Sequence, residues 1–159
     1  MGKITYLVGD ATLPQCTGNK IIVHVCNDVN LFGAGFVLAL SNKWPITKKS
    51  FHEIKPEDRK LGNVQFVSVA PDILVANMIA QRHVKSFVVD GVIVPPIRYD
   101  ALRQCLQKVN VQAVSNGSTI HMPRIGCGLA GATWSKILPI IEECLTVDVY
   151  VYDFKPQIK

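Results

Sequence analysis

Residues 118–131 read STIHMPRIGCGLAG, an apolar strand pattern that runs directly into a glycine-rich loop. The first five residues predict a β-strand, and Thr133 is placed to cap a helix after the loop. Such a junction can hold an anion, because glycine lets the backbone come close and the first N–H groups of a helix are unpaired. The predicted helix carries an apolar stripe at helical spacing, made of Ile137, Ile140, Ile141, Cys144 and Leu145.

A second strand–loop–helix unit lies earlier in the chain. Residues 21–26, IIVHVC, are apolar at nearly every position, which predicts a strand covered on both faces. Gly33-Ala34-Gly35 follows, and a helix is expected from about Phe36 to Ser41. One Gly-x-Gly most often marks a tight turn. Two of them at strand-to-helix junctions favour ligand binding at the carboxyl ends of the strands.

The remaining pattern predicts an α/β protein. Further strands are expected at 4–8, 64–69, 73–79 and 147–152, a short helix capped by Thr47, and a long helix after Pro95-Pro96. Alternating strands and helices indicate a mixed, largely parallel sheet of about six strands with helices on both faces. The length of 159 residues suits one domain, which we assign to 1–159.

Composition narrows the function classes. A net charge of +5 indicates a mild bias toward phosphates, and an ordinary solvated surface explains it equally well. The basic residues are scattered in pairs, so nucleic acid is not favoured. None of the five cysteines forms a C-x-x-C pair, so no metal site is predicted. The first strand is followed by Gly9-Asp10-Ala11-Thr12 rather than G-x-G-x-x-G, and no Walker motif occurs. We therefore expect a cytoplasmic protein with no cofactor and no membrane segment.

Five side chains could carry chemistry, and each has an ordinary alternative. Asp10 could accept a hydrogen bond from an exocyclic amine, or form an Asx-turn. His24 could serve in acid–base chemistry, or be a satisfied core histidine. Asn27 and Asp28 could reach a ribose hydroxyl or orient a water, or be a turn residue and a solvated charge. Cys127 lies between two glycines near a predicted helix start, a setting that can lower a thiol pKa.

Three motifs together resemble the macro-domain family. They are Gly9-Asp10-Ala11-Thr12 after the first strand, the strand end at 24–27 that leads to the loop at 33–36, and PRIGCGLAG at 123–131. The resemblance runs from about Ile4 to Asp153. It is greatest to the small branch that holds the terminal ADP-ribose protein glycohydrolase, the ADP-ribose-1″-phosphate phosphatase and the macro module of a chromatin remodeller.

The resemblance implies a three-layer α/β/α fold and an ADP-ribose ligand. It implies that Asp10 and the Ala11 amide read the adenine, and that the diphosphate and distal ribose lie between the loops at 33–36 and 126–130. Asn27 would lie near the distal ribose. The ligand-binding residues so implied are Gly9, Asp10, Ala11, Asn27, Gly33, Ala34, Gly35, Phe36, Arg124, Ile125, Gly126, Cys127, Gly128, Leu129 and Ala130.

The resemblance leaves catalysis open. The glycohydrolase uses a lysine after its central strand and an aspartate after its second glycine loop, and these positions hold Gln81 and Ala130 here. The catalytic candidates are His24, Asn27 and Asp28. One hypothesis is a hydrolase of ADP-ribose 1″-phosphate or ester-linked ADP-ribose. The other is a non-catalytic reader of free or protein-linked ADP-ribose.

Overall fold

The computed structural model describes residues 2–33, 35–128 and 130–154, so the predicted site residues Ala34 and Leu129 lie outside the described part. Strands and helices are interspersed along the chain, and the α/β class that the sequence predicts is confirmed. Their bounds are β1 (Ile4–Val8), β2 (Lys20–Asn27), α1 (Phe36–Lys43), α2 (Ile46–His52), a 3-10 turn (Pro56–Asp58), β3 (Val64–Ala70), β4 (Ile73–Gln81), β5 (Phe87–Val89), β6 (Val92–Val94), α3 (Tyr99–Asn116), β7 (Thr119–Met122), α4 (Trp134–Cys144) and β8 (Val149–Asp153).

The main sheet has six strands within the described ranges, in the order β1-β8-β7-β2-β4-β3. Every neighbouring pair is parallel except β3 and β4, which are joined by the turn at 71–72. The prediction of a mixed, largely parallel sheet of about six strands is confirmed. Five parallel strands therefore end at one edge, which is where open α/β sheets bind ligands.

Helices cover both faces of this sheet. On one face α3 and α4 pack their apolar stripes onto β2, β4 and β7, with Leu102, Leu106, Ile137 and Ile141 fully buried. On the other face α1 and α2 bury Leu40 and Phe51 in two smaller clusters. The three-layer α/β/α arrangement is confirmed. No helix in the described ranges is long and apolar enough to cross a bilayer.

One local prediction was wrong, and one element was not predicted. Thr47 does not cap α2, because Pro45 holds the N-cap position and the Thr47 hydroxyl donates to the Trp44 carbonyl at 2.8 Å. The hairpin formed by β5 and β6 was not predicted at all. Thr133 does occupy the N-cap position of α4, but its side chain makes no capping hydrogen bond. The assignment of one domain to 1–159 stays a prediction.

Candidate functional site

A cavity of about 620 Å³ opens at the carboxyl ends of β2, β4 and β7. That volume suits a ligand of nucleotide size. Both glycine loops contribute to its wall, and so does the start of α1. Ten of the predicted site residues line the cavity, namely His24, Asn27, Gly33, Gly35, Phe36, Arg124, Ile125, Gly126, Cys127 and Ala130. Among the described residues, Gly9, Asp10, Ala11, Asp28 and Gly128 do not line it.

The first glycine loop presents the start of α1 to the cavity. Gly35 is the N-cap of α1 with φ 74°, a left-handed conformation that favours glycine. Phe36 and Val37, the first two helical residues, line the cavity. Since the first N–H groups of a helix lack intrahelical acceptors, this wall suits an anionic group of a ligand.

The second glycine loop differs from the prediction at Cys127. The helix begins only at Trp134, so Cys127 does not lie at a helix N-terminus. Burial raises the pKa of the Cys127 thiol, although the nearby Arg124 acts in the opposite direction. The expectation that this setting lowers the thiol pKa was wrong, because α4 begins too late for its dipole to act on the thiol.

Gly126 in this loop is turned toward the core. Its φ of 74° favours glycine, and a Cβ added there would meet Ala132, Ile97 and Ile137 at 3.3–3.4 Å. Its backbone closes the loop, since the Ala132 N–H donates to the Gly126 carbonyl at 2.9 Å. Gly126 therefore shapes the loop from its buried side.

His24 is 2% exposed and is engaged within the sheet. Its Nε2 hydrogen-bonds with Oδ1 of Asn77, the residue opposite it on β4. The rings of Phe32 and Phe36 pack against the imidazole at 5.7 and 6.0 Å between centroids. Burial lowers the pKa of His24 to about 4, so the ring is neutral at pH 7. This geometry favours the core-histidine interpretation over acid–base chemistry.

Asn27 organises the loop that follows β2. Its Oδ1 accepts from the backbone N–H groups of Val29 and Leu31, both at 3.1 Å, and its Nδ2 donates to the Leu31 carbonyl at 2.6 Å. Asn27 nevertheless lines the cavity. Asp28 points elsewhere, because its Oδ1 accepts from the backbone N–H of His83 at 2.8 Å. Both side chains thus hold neighbouring loops in place.

Asp10 follows the end of β1 and forms the Asx-turn that the sequence allowed. Its Oδ1 accepts from both the backbone N–H and the hydroxyl of Thr12, each at 2.8 Å. The preceding residue is tied to the end of β8, since the Gly9 N–H donates to the Asp153 carbonyl at 2.9 Å. The turn shares the sheet edge where the cavity opens, and only one of the two Asp10 carboxylate oxygens is used by Thr12.

Arg124 braces the second glycine loop. Its guanidinium donates to both carboxylate oxygens of Asp153, at 2.6 and 3.0 Å. It also lies 5.2 Å from the ring of Tyr6 and 5.1 Å from that of Trp134. This pairing raises the pKa of Arg124 and lowers the pKa of Asp153.

Sequence reasoning missed two basic residues at the cavity. Lys48 and His52 are exposed on consecutive turns of α2 and both line the cavity. The His52 Nδ1 and Oδ1 of Asn30 form a hydrogen bond of 2.7 Å. The i, i+4 spacing was the available signal, but it is equally typical of a solvated helix face.

The two positions that correspond to the catalytic lysine and aspartate of the glycohydrolase both lie at the cavity. Gln81 and Ala130 both line the cavity, and Gln81 donates from Nε2 to the His83 carbonyl at 2.8 Å. No aspartate or glutamate is among the described residues that line this cavity. The described ranges also hold no cluster of three or more His, Cys, Asp or Glu placed to bind a metal ion.

No protein-family model matches the chain. The curated relatives include the mouse chromodomain-helicase-DNA-binding protein 1-like, 27% identical over 96% of this chain, which spans 18% of that relative. They also include the bovine ADP-ribose glycohydrolase OARD1, 27% identical over 89% of this chain and 83% of that protein.

Solved structures that match at higher identity include two bacterial proteins. A Bacteroides thetaiotaomicron protein of unknown function is 45% identical with a TM-score of 0.91, and the match covers 96% of this chain and 98% of that one. A macrodomain protein from Streptomyces coelicolor is 40% identical with a TM-score of 0.81, over 95% of this chain and 99% of that one.

Proposed function

The chain belongs to the macrodomain family, and from this premise we propose that its cavity binds ADP-ribose or a derivative of it. The observation that carries the proposal is the 620 Å³ cavity between the two glycine loops, at the carboxyl edge of the parallel strands. The name of the bovine relative, an ADP-ribose glycohydrolase, supports this ligand.

Each part of the ligand has a suitable partner. The diphosphate would lie against the start of α1 at Gly35 and the second glycine loop, with Lys48 supplying a positive charge at the rim. Phe36, Val37 and Ile125 offer apolar surface to the ribose rings. The adenine would extend toward the Asp10 turn, where a carboxylate oxygen can accept from its exocyclic amine.

Recognition without turnover is the form of this function that the cavity supports best. A lysyl adduct would require an amine at Gln81, and an acidic group would be needed at Ala130, where only a methyl side chain is present. Moreover, His24, Asn27 and Asp28 all hold structural hydrogen bonds. We therefore favour a reader of ADP-ribose.

Calorimetric and thermal-shift titrations with ADP-ribose test the proposal. A ligand at 100 times its Kd stabilises the fold by about 2.7 kcal/mol, or roughly 5–10 °C in melting temperature for a domain of this size. NAD and single-stranded RNA, as controls, should raise it much less. Absence of ADP-ribose binding at millimolar concentration would contradict the proposal.

Hydrolysis of a derivative is the second candidate, and His52 is the observation that favours it. His52 lines the cavity and its Nδ1 is engaged by Asn30, so in this candidate function its Nε2 would take a proton from an attacking water. Phosphate release from ADP-ribose 1″-phosphate, and loss of an ester-linked ADP-ribose, would be measured for the wild type and His52→Ala. Turnover that the substitution abolishes supports this candidate, and an inactive wild type excludes both substrates.

A further inference from the structure

The hairpin of β5 and β6 stands apart from the main sheet and carries exposed apolar side chains. Asp90 and Gly91 have φ of 50° and 79°, which is the type I′ geometry of a two-residue hairpin turn. Val88 and Ile93 face each other across the two strands and are 68% and 70% exposed. Val89 and Val92 are exposed as well.

Clustered exposed apolar side chains are unusual on a monomeric protein. A two-stranded hairpin is only marginally stable in water, and exposed β-branched edges invite pairing with another chain. Clustered exposed apolar groups generally mark an interaction site. The segment therefore has the composition of a docking element for an extended polypeptide, which would add a strand to the hairpin.

The base of the hairpin is fixed to the rim of the cavity. Val84, which precedes β5, lines the cavity. The Arg82 N–H donates to the Pro96 carbonyl at 2.9 Å and closes the base, and the Ile97 N–H donates to the Ala130 carbonyl at 3.0 Å. A polypeptide on the hairpin would thus lie beside the opening through which a ligand enters.

Resting on the proposed function, we infer that the hairpin docks the polypeptide that carries a protein-linked ADP-ribose. Successive side chains of a strand point to opposite faces of a sheet. An extended segment docked on the hairpin would therefore carry apolar side chains at every second position. Arg82 and Lys85 are exposed between β4 and the hairpin, so acidic residues beside the modified position would complement them. The single acid of the hairpin, Asp90, lies at the opposite end, in the turn.

The test compares free ADP-ribose with a synthetic peptide that bears one non-hydrolysable ADP-ribose between alternating valine and glutamate residues. We expect the wild type to bind the modified peptide at least tenfold more tightly than free ADP-ribose. Val88→Thr with Ile93→Thr keeps β-propensity but removes apolar surface, so it should abolish this advantage and leave the affinity for free ADP-ribose unchanged.

The matched control places the same change on α3, where Val111 and Val114 are 72% and 60% exposed. Val111→Thr with Val114→Thr should retain the tighter binding of the peptide. Arg82→Gln with Lys85→Gln serves as a second test that spares the hairpin core, and it should lower the affinity for the peptide more than the affinity for free ADP-ribose. Circular dichroism would confirm folding of each variant.

Failure of this inference is distinguishable from failure of the proposed function. If free ADP-ribose does not bind the wild type, the proposed function itself is wrong. If it binds but the modified peptide gains nothing, the docking inference alone is overturned. Sedimentation equilibrium gives a third outcome, since a wild-type dimer that Val88→Thr with Ile93→Thr dissociates would show that a second copy covers the hairpin.

Discussion

Arg124 and Asp153 join the loop after β7 to the end of β8 through two parallel hydrogen bonds of 2.6 and 3.0 Å. The pairing lowers the pKa of Asp153, because the folded state favours its ionised form. Its stabilising contribution is therefore present at neutral pH and is lost as pH falls through the lowered pKa of the folded state.

Asp153→Asn should lower stability at pH 7 by about 1 kcal/mol or less, since the pair is partly exposed. The difference in melting temperature from the wild type should shrink below about pH 4, where the unfolded carboxyl is protonated. Asp148→Asn is the control, because the Asp148 carboxylate accepts a hydrogen bond from the backbone N–H of Lys3 and not from a charged side chain. A difference that stays constant down to pH 3 would contradict the ion-pair origin.

Buried histidines give a separate acid dependence. Burial lowers the pKa of both His24 and His121 from 6.5 to about 4. Between these values the unfolded chain binds more protons than the folded one, so stability should fall as pH drops from 6.5 to 4. His121→Gln should remove part of that loss, at most about 1.4 kcal/mol per pH unit, in denaturant titrations from pH 7.5 to 4.5.

The exposed His83 provides the comparison for this effect. His83 has φ 63°, a conformation that asparagine tolerates, so His83→Asn should fold normally. Its stability profile should follow that of the wild type. If His121→Gln and His83→Asn changed the acid dependence equally, burial would not be its cause.

A negative charge at Gly33 should oppose ADP-ribose binding. Gly33 lines the cavity, and a Cβ added there meets no atom within 4 Å. Gly33→Glu should weaken binding about 100-fold, because a like charge at roughly 5 Å costs about 3 kcal/mol at an effective dielectric of about 20. Gly33→Gln has nearly the same size without the charge, so calorimetry should show only a small loss.

Gly126 is unsuitable for this experiment, although sequence alone would suggest it. A side chain there would enter the core at Ile97 and Ile137, so lost binding would reflect damage to the loop.

Equal losses for Gly33→Glu and Gly33→Gln would show that volume, not charge, decides binding at the first loop.

Lys48 should contribute to affinity through charge. It lines the cavity, whereas the adjacent Lys49 is not among the described lining residues. Lys48→Ala should weaken ADP-ribose binding several-fold in low salt, and the effect should shrink as ionic strength rises. Lys49→Ala removes the same net charge and should change the Kd little. Similar effects of the two changes would mean that only the overall charge matters.

Asp10 should decide which base the protein accepts. Asn at this position keeps an oxygen for Thr12 but replaces the second carboxylate oxygen with an amide, so the exocyclic amine of adenine loses its acceptor. Asp10→Asn should weaken ADP-ribose binding about 10- to 100-fold. Inosine diphosphate ribose lacks that amine, so Asp10→Asn should change its affinity little. If the variant preferred ADP-ribose over inosine diphosphate ribose as strongly as the wild type does, this role of Asp10 would be contradicted.

Periodicity predicted most of the fold because the sheet is buried on both faces. Residues 21–26 and the stripe on α4 are continuous signals, and the structure places β2 and α4 there. The hairpin was not predicted, although Asp90-Gly91 between two apolar runs is a strong hairpin signal. Its strands lie outside the main sheet, so the pattern of alternating strands and helices did not require them.

The site was predictable where chemistry follows the backbone and less so where it follows tertiary contacts. The glycine loops at strand ends were predicted to hold the ligand, and Gly33 and Gly35 do line the cavity. By contrast, Lys48 lies at the cavity because α2 packs on β3 and β4, and the i, i+4 spacing of Lys48 and His52 does not by itself predict that approach. The sequence likewise allowed Asn27 to be either a turn residue or a ligand contact. Its hydrogen bonds to Val29 and Leu31 depend on the conformation of the loop, which the sequence pattern does not give.

The first strand of the sheet is held by the last. β1 pairs with β8 along its whole length, from Ile4 opposite Val149 to Val8 opposite Asp153, and with no other strand in the described ranges. Joining strands this distant in sequence closes a long loop, which costs conformational entropy. The Gly9 N–H donates to the Asp153 carbonyl, so the Asp10 turn takes its position from the same pairing. We expect a loss of the β1–β8 pairing to weaken the base contact proposed for Asp10 before it disturbs the two glycine loops, which follow β2 and β7.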